Sequence, residues 1–353
     1  MSIQALKESM KELKGVSLIL SEENILYFTG FFSTNGVLLV TGETALFYTD
    51  GRYIEAAQNR ITSCDDVLLL KTFDESVLPT LKTFNFENIY VEDERLSYAR
   101  VEKLKKVLPA PLQTGVLDEI IRKIRKVKIE EQTDKIIAAQ RIAEQALEVI
   151  KPQIVVGAVE RELALELDYT MLRLGAQALS FETIFVSGAN SSMPHGVPTD
   201  KKIEYGDFVT IDFGAVVDGY HSDMTRTFAV GNVSEKQKDV YETVLRAQLN
   251  AIEAILPGKR CSDMDKIARD VIAQRGYGEF FNHSLGHGVG VEIHEPPYLS
   301  AKSEETLEVG NVVTVEPGIY LPGEFGVRIE DMGLVTENGY RNFTKAPKAL
   351  EIL

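Results

Sequence analysis

The stretch VTIDFGAVVDGYHSDMTRTF, residues 209–228, reads as two β-strands joined by a turn at Asp218-Gly219. An Asp-Gly pair flanked by β-rich runs is a typical two-residue hairpin turn. Such a turn places Val217 opposite Tyr220 and fixes the pairing of every other residue in the hairpin. The stretch therefore predicts an antiparallel hairpin whose register can be read from the sequence.

The register matters because the hairpin carries two aspartates, a residue type that is depleted in strand interiors. With the two-residue turn, Asp212 faces Thr225, and Asp223 shares the face of Thr225. The two carboxylates then point the same way as diagonal neighbours, about 7 to 8 Å apart at Cα. One extra loop residue would break this parity.

Residues 311–335, NVVTVEPGIYLPGEFGVRIEDMGLV, read as a second hairpin with a Pro-Gly turn. Alternation with the neighbouring valines places Glu316 on the face opposite to them, and Arg328 and Glu330 alternate with apolar residues in the same way. Desolvated anions that lie together need a counterion, which a pair of divalent cations would supply. Each acid taken alone could instead lie at an exposed strand edge. Two similar acidic hairpins also suggest a duplicated half-domain.

All five histidines lie in the second half of the chain: His195, His221, His283, His287 and His294. Three of them fall within FNHSLGHGVGVEIHEPP, residues 281–297. This run is not a helical HExxH zinc motif, because Ser284 follows its first histidine, nor a dinucleotide-binding GxGxxG motif. A lone histidine here would more often be structural, but three beside the acidic hairpins favour a site. A set of carboxylates with imidazole suits pairs of manganese, cobalt, iron or zinc ions, and such pairs activate water, so hydrolysis is predicted.

Composition excludes several classes of function. The 353 residues carry 53 Asp plus Glu against 38 Lys plus Arg, a formal charge of −15, which repels nucleic acid. No apolar signal core or membrane-spanning run is evident, so we expect no membrane association and a cytoplasmic location. Cys64 and Cys261 lie far apart without ligand spacing, which indicates reduced, buried thiols.

Length and pattern predict two domains, residues 1–125 and 126–353. The first mixes short β-rich runs with helical patterns, as in an α/β domain, whereas the second alternates helices with hairpins, as in an α+β domain. Between them KIRKVK, residues 123–128, is either a solvated connection or a basic binding patch. Beyond it, Ser234 and Ser262 each begin a capping-box pattern that predicts a helix start.

The motifs IDFGAVVDGYHSDMTRTF, HSLGHGVGVEIHEPP, TVEPGIY and GVRIED resemble those of the Xaa-Pro peptidases, aminopeptidase P and prolidase, among the pita-bread metallopeptidases. ENILYFTGF and ALFYTDGRYIEAA near the N-terminus are similar to the first domain of that family. The resemblance implies an α/β N-terminal domain followed by an α+β pita-bread catalytic domain, with antiparallel sheet and pseudo-twofold halves. It also implies a homodimer and a proline-containing peptide as substrate.

By the same resemblance, two divalent metal ions are expected, manganese first and cobalt, iron or zinc as alternatives. Their implied ligands are Asp212, Asp223, His287, Glu316 and Glu330. The implied catalytic residues are His195, His283, His294, Glu316 and Arg328. Glu316 would also move a proton, His195 and His294 would bind the reacting carbonyl region, His283 would lie near the proline, and Arg328 would support the ligands. His221 matches no functional position of the family and is expected to be a solvated or hairpin residue.

One departure from the family concerns substrate length. Prolidases carry an arginine for the dipeptide carboxylate at the position where this chain has Tyr298. We therefore expect an aminopeptidase P, with a prolidase as the alternative. Methionine aminopeptidase is disfavoured by the N-terminal domain, and creatinase by the complete ligand set. A non-catalytic pita-bread binding module is the alternative from another class, although it would be marked by lost ligands.

Overall fold

The computed structural model describes residues 2–353, with side chains from residue 3 onward. The fold divides into two compact units, one extending to Arg125 and the other spanning Lys126–Leu353. Within residues 2–353, none of the helices combines the length and the apolar character that crossing a membrane requires.

The first unit is built on a mixed six-stranded sheet with the order β4-β3-β2-β1-β5-β6. Its strands are β1 (Gly15–Ile19), β2 (Gly36–Val40), β3 (Ala45–Thr49), β4 (Asp66–Leu69), β5 (Asn88–Val91) and β6 (Leu112–Gln113). The helices in this part of the chain are α1 (Ser2–Glu12), α2 (Glu22–Thr29), α3 (Ile54–Arg60), α4 (Leu78–Leu81), α5 (Tyr98–Val107) and α6 (Val116–Lys126). The strand β1 reads GVSLI and is buried throughout, because the sheet packs between helices. This confirms the α/β class of the first domain.

The second unit contains four long helices and thirteen strands among the described residues. The helices are α7 (Glu130–Ile150), α8 (Glu160–Arg173), α9 (Glu235–Ala254) and α10 (Cys261–Gln274). The strands of its first half are β7 (Ala178–Leu179), β8 (Ile184–Ser187), β9 (Phe208–Phe213), β10 (Ala215–Val217), β11 (Tyr220–His221) and β12 (Met224–Ala229). Those of its second half are β13 (Gly286–Gly288), β14 (Glu295–Leu299), β15 (Val312–Val315), β16 (Gly318–Leu321), β17 (Phe325–Arg328), β18 (Asp331–Thr336) and β19 (Gly339–Asn342).

Each half of the second unit packs a pair of helices against antiparallel strands. In the first half α7 and α8 cover β9 and β12, and their shared core includes Leu167, Ile211 and Phe228. In the second half α9 and α10 cover β15 to β18, and the core includes Val244 and Val313. This repeated helix-pair and hairpin arrangement confirms the predicted pita-bread architecture with pseudo-twofold halves. The acidic hairpins lie at the centre of the two halves.

The two predicted capping boxes have different outcomes. Ser234 caps α9, with its side chain accepting from the Gln237 backbone N–H, so that prediction is confirmed. The helix predicted from Ser262 is present as α10, but Ser262 does not cap it, because α10 begins at Cys261 and its N-cap is Arg260. Tertiary pairing decides this helix start, since the residue before it, Arg260, is held in a β-bridge with Thr306.

Candidate metal centre

The first acidic hairpin has the two-residue turn that its sequence predicts. Asp218 and Gly219 adopt φ angles of +47° and +77°, the left-handed backbone that such a turn requires. The resulting register pairs Asp212 with Thr225. The predicted parity of this hairpin is therefore confirmed.

Asp223 lies in a break between β11 and β12, and not inside a strand as its sequence pattern indicates. The break depends on a close approach at Gly214, where a Cβ atom would lie 1.9 Å from the carbonyl oxygen of Ser222. Because Asp223 is released from the regular ladder, its carboxylate can turn toward the neighbouring hairpin.

The second acidic hairpin is interrupted in the same way. The pairs β15–β18 and β16–β17 keep one continuous register around a three-residue turn, residues 322–324. That register places Glu316 and Glu330 opposite each other in the gap between the two pairs. Three of the predicted ligands, Asp223 among them, thus lie where strand pairing is interrupted and side chains can converge.

His287 enters this group from β13. Its Nδ1 lies 3.1 Å from the Gly288 carbonyl oxygen, which can only accept, so Nδ1 carries a proton, and in the neutral ring Nε2 has a free lone pair. Nε2 lies 3.5 Å from Asp223 Oδ2 and 3.4 Å from Glu316 Oε1. Glycine is needed beside it, because a Cβ atom on Gly286 would lie 2.1 Å from the Thr314 carbonyl oxygen.

These side chains provide donor atoms for a metal ion. One donor atom each from Asp223, His287 and Glu330 can be chosen so that all three lie within 4.8 Å of one another. Among the described residues, Asp212 Oδ1 and Glu330 Oε1 are buried without a hydrogen-bond partner. Orphaned carboxylate oxygens beside an imidazole nitrogen that can give up its proton match what a divalent cation requires. The residues present therefore fit the metal ions that the resemblance implies.

The pKa shifts of these residues also indicate that a cation is needed. Burial, together with repulsion from the neighbouring acids, raises the pKa of Asp223 and of Glu330 well above their ordinary values. Burial also raises the pKa of Asp212. Burial opposes ionisation of Glu316 too, but in the metal-free chain protonated His287 donates from Nε2 to Glu316, and this hydrogen bond lowers the pKa of Glu316 to about 2. The pKa of His287 is raised in return, because Glu316 outweighs the effect of burial. One imidazole thus offsets only one of four buried acids.

Arg328 ties the ligands to the surrounding chain. Its Nη2 donates to Asp212 Oδ2 at 2.7 Å, and its Nε donates to Thr225 Oγ1 at 3.0 Å. Its Nη1 donates to the carbonyl oxygen of Pro194 at 3.1 Å and to the hydroxyl of Tyr320 at 2.7 Å. Since four protein groups hold one planar guanidinium, Arg328 fixes the orientation of Asp212 without occupying the orphaned oxygen.

Tyr320 connects Arg328 to His283. The Tyr320 hydroxyl lies 2.9 Å from His283 Nε2, while His283 Nδ1 lies 2.8 Å from the Ser284 carbonyl oxygen. Because that carbonyl only accepts, neutral His283 accepts through Nε2 and Tyr320 donates to it. Burial lowers the pKa of His283, so the neutral form is favoured. A hydrogen-bonded chain therefore runs from Arg328 through Tyr320 to His283.

All nine predicted site residues line one cavity of about 880 Å³. His294 is exposed, and its ring centroid lies 4.4 Å from that of His287. His195 is exposed on a loop at the rim, and Tyr298 also lines the cavity. His221 is not among the lining residues; it lies in β11, where its Nδ1 is 2.9 Å from Ser180 Oγ, and burial lowers its pKa, so it is a hairpin residue and not a solvated one.

Sequence reasoning missed Tyr320 and Thr225. Thr225 donates to Glu330 Oε2 at 2.8 Å and so orients that acid. Both residues were accessible to the parity argument, because Thr225 faces Asp212 and Tyr320 is the diagonal neighbour of Arg328 in the hairpin register. What alternation could not indicate is that their hydroxyl groups would be used as supports for the site.

Comparison with known proteins gives two family matches. Residues 134–337 match the model of metallopeptidase family M24, and residues 3–127 match the creatinase/prolidase N-terminal domain. A protein of Pyrococcus horikoshii named Xaa-Pro dipeptidase is 42% identical over 336 residues, which is 94% of this chain and 93% of the relative.

Solved structures agree in fold. The structure titled Xaa-Pro dipeptidase from Bacillus anthracis is 39% identical with a TM-score of 0.95, and the match covers 100% of this chain and 99% of that one. The X-Pro aminopeptidase from Thermotoga maritima is 34% identical with a TM-score of 0.92, and the match covers 99% and 100% of the two chains.

Proposed function

The chain belongs to metallopeptidase family M24 and, within it, to the Xaa-Pro peptidases, and we propose that it is an Xaa-Pro dipeptidase. As a member of this family it is a metal-dependent peptidase, so the alternative of a non-catalytic binding module loses its support. The division into domains at residues 125 and 126, the homodimer and the cytoplasmic location stay predictions.

The dipeptidase assignment rests on the relatives named Xaa-Pro dipeptidase, which match nearly the whole chain at about 40% identity. The sequence argument from Tyr298 favoured aminopeptidase P, and the relatives support its alternative better. The similarity to an X-Pro aminopeptidase keeps that activity as the second candidate.

We propose that Asp212, Asp223, His287, Glu316 and Glu330 hold two divalent cations, with manganese as the first candidate. When bound, such ions polarise a carbonyl group and lower the pKa of water. The buried carboxylates also attract the free α-amino group of a substrate, which would place the first peptide bond of the substrate beside Glu316. Preference for the first bond follows from this placement.

The proton steps are assigned to residues of the chain. We assign to Glu316 the transfer of a proton from the attacking water to the proline nitrogen. His294 is neutral because burial lowers its pKa, and it can donate a hydrogen bond to the oxygen of the reacting carbonyl. His195 would bind the same region from the rim, while His283 would contact the proline.

The test is a comparison of Ala-Pro with Ala-Pro-Ala, using protein loaded separately with manganese, cobalt and zinc. We expect kcat/KM for the dipeptide to exceed that for the tripeptide by at least about tenfold, or about 1.4 kcal/mol. Asp223→Asn should cleave neither substrate. A preference for the tripeptide would establish the aminopeptidase alternative instead, and size-exclusion with light scattering on the same samples would test the dimer.

A further inference from the structure

The first residue of α8, Glu160, is fully buried although it has no part in the proposed chemistry. Its carboxylate accepts hydrogen bonds from Ser187 N at 2.6 Å and Ser187 Oγ at 2.8 Å. It also accepts from Thr199 N at 3.1 Å, Thr199 Oγ1 at 2.7 Å and Asn190 Nδ2 at 3.1 Å. Five neutral donors from one stretch of chain thus stabilise a single buried carboxylate.

These donors lie along residues 187–199, which we call the His195 segment. The segment has a 3-10 turn, Gly188–Ser192, and otherwise runs as loop. Glu160 holds it at both ends, through Ser187 and Thr199. Because regular pairing does not hold most of the segment, its path depends on these side-chain bonds.

A second contact holds the middle of the His195 segment. Arg328 donates to the carbonyl oxygen of Pro194, the residue directly before His195. The same guanidinium holds Asp212 at 2.7 Å. The path of the segment is therefore fixed at its ends by Glu160 and at its centre by a group that also orients a metal ligand.

We propose that Glu160 is a positioning residue, which sets the location of His195 relative to the metal ligands. This inference rests on the proposed function, in which His195 binds the reacting region of the substrate. Glu160 also lies in the first turn of a helix, where the helix dipole stabilises a carboxylate. This stabilisation concerns the folded state alone. A stabilising role and a positioning role of Glu160 therefore predict different effects on kcat/KM when His195 is absent.

The experiment is a double-mutant cycle of Glu160→Gln with His195→Ala, read as kcat/KM for Ala-Pro with metal-loaded protein. The amide introduced by Glu160→Gln would place N–H groups against the N–H and O–H donors of the His195 segment, which need acceptors at this position. We expect Glu160→Gln alone to lower kcat/KM about 10- to 100-fold, because small displacements of positioning groups cost this much. In the His195→Ala background it should cost less than about twofold, while bound metal stays the same and the loss of thermal stability is equal in both backgrounds.

Glu144→Gln is the matched control. Glu144 also accepts from backbone N–H groups of a distant segment, at Lys345 and Ala346, but that segment does not carry His195. Its effect on kcat/KM should be the same with and without His195. Thr199→Val, which removes one donor and keeps the shape, should give a smaller loss than Glu160→Gln with the same dependence on His195.

A second measurement does not depend on activity. In zinc-loaded protein, the imidazole NMR signals of His195, assigned by their absence in His195→Ala, should shift or broaden in Glu160→Gln and stay in place in Glu144→Gln. Unchanged His195 signals, or an equal loss of activity in both backgrounds, would overturn the role of Glu160. If the wild type cleaves no Xaa-Pro substrate, the proposed function fails, and the NMR comparison still decides the role of Glu160.

Discussion

Two groups of buried charges lie side by side in the second unit. The charges of one group are compensated by other residues of the chain, and those of the other group are not. The proposed metal ligands, which we call the metal cluster, are Asp212, Asp223, His287, Glu316 and Glu330. The Arg226 group consists of Arg226, Asp331 and Lys348. Glu330 and Asp331 are neighbours in sequence, yet burial with repulsion raises the pKa of the first, whereas for the second the two cations outweigh burial and lower the pKa.

The Arg226 group satisfies itself. Arg226 donates to the Asp331 carboxylate and to the backbone carbonyl groups of Thr225, Glu330, Ala346 and Pro347. Lys348 donates to the same carboxylate at 2.7 Å. Every charge has an opposite charge within hydrogen-bond distance, which is the condition for a buried ion pair to be tolerated.

The metal cluster lacks this balance within the chain. Its four acids face one imidazole, that of His287, and the guanidinium of Arg328 outside the cluster, and two of its carboxylate oxygens are orphaned among the described residues. Buried acids alone therefore do not identify a metal site. A missing counter-charge does, because the chain then depends on a cation from solution.

The largest effect is expected for Asp223→Asn. Neutralising a ligand should remove bound metal and lower kcat/KM by more than about 10³-fold, or about 4 kcal/mol, since the ions supply several kcal/mol of transition-state stabilisation. In the absence of metal, however, the variant should be at least as stable as the metal-free wild type, because one of several repelling acids is gone. Metal analysis, kinetics and thermal unfolding check this.

Asp270→Asn, a surface change that affects the pair with Lys266, should leave all three measurements unchanged. A metal-free Asp223→Asn protein that is clearly less stable than metal-free wild type would contradict the view that the cluster is under-compensated.

The opposite result is expected for Arg226→Met. Here the free energy of unfolding should fall by about 3–5 kcal/mol, because Asp331 stays buried with one of its cations removed. Metal content and kcat of the folded fraction should be unchanged. Urea unfolding measures the loss, and Lys236→Met, which breaks an exposed pair with Glu324, should cost less than about 1 kcal/mol. Loss of metal in Arg226→Met would show that the two groups are not independent.

Arg328 is a buried cation, like Arg226, but its carboxylate partner, Asp212, belongs to the metal cluster. Arg328→Lys tests whether the charge of Arg328 or its set of hydrogen bonds is needed. A lysine keeps the charge but cannot reach Asp212, Thr225, Pro194 and Tyr320 together. We expect a 10- to 100-fold loss of metal affinity or kcat/KM, as for other residues that orient metal ligands. Arg341→Lys, a change on the surface, is the control. Unchanged metal affinity and kinetics in Arg328→Lys would show that charge alone is needed.

Much of the metal cluster was predictable, because hairpin parity is local. The Asp-Gly turn determined which residue Asp212 faces, and the alternation of residues 311–335 placed two further acids on one face. The strand breaks at Asp223 and Glu330 were not predictable, since they depend on close backbone approaches such as that at Gly214.

The contacts that support the site could not be predicted from the sequence, because they also depend on segments that are distant along the chain. Glu160 lies 27 residues from Ser187 and 39 from Thr199, and no local pattern indicates that one carboxylate will hold both. The Arg226 group likewise joins β12, β18 and the C-terminal segment. Alternation indicates the face on which a charged side chain lies, but not whether an opposite charge from a distant segment will meet it there.

The smallest expected effect is a pH dependence of stability that should exist only without metal. The pKa values of Asp223 and Glu330 are raised in the folded, metal-free chain, so the folded state holds more protons than the unfolded state above pH 4. Stability must then fall as pH rises from about 5 toward 7. Metal-free protein should therefore unfold a few degrees higher at pH 5 than at pH 7, by about 3 °C.

Metal-loaded protein should show the opposite pH dependence of stability. Divalent ions keep the same carboxylates ionised and compete with protons, so metal-loaded protein should lose stability on acidification over that range. Asp331 has a lowered pKa, so its contribution is present above pH 4 and lost only in stronger acid. Thermal unfolding of chelator-treated and reloaded protein at both pH values measures the two slopes. Equal slopes would mean that the acids of the metal cluster are balanced within the chain after all, as those of the Arg226 group are.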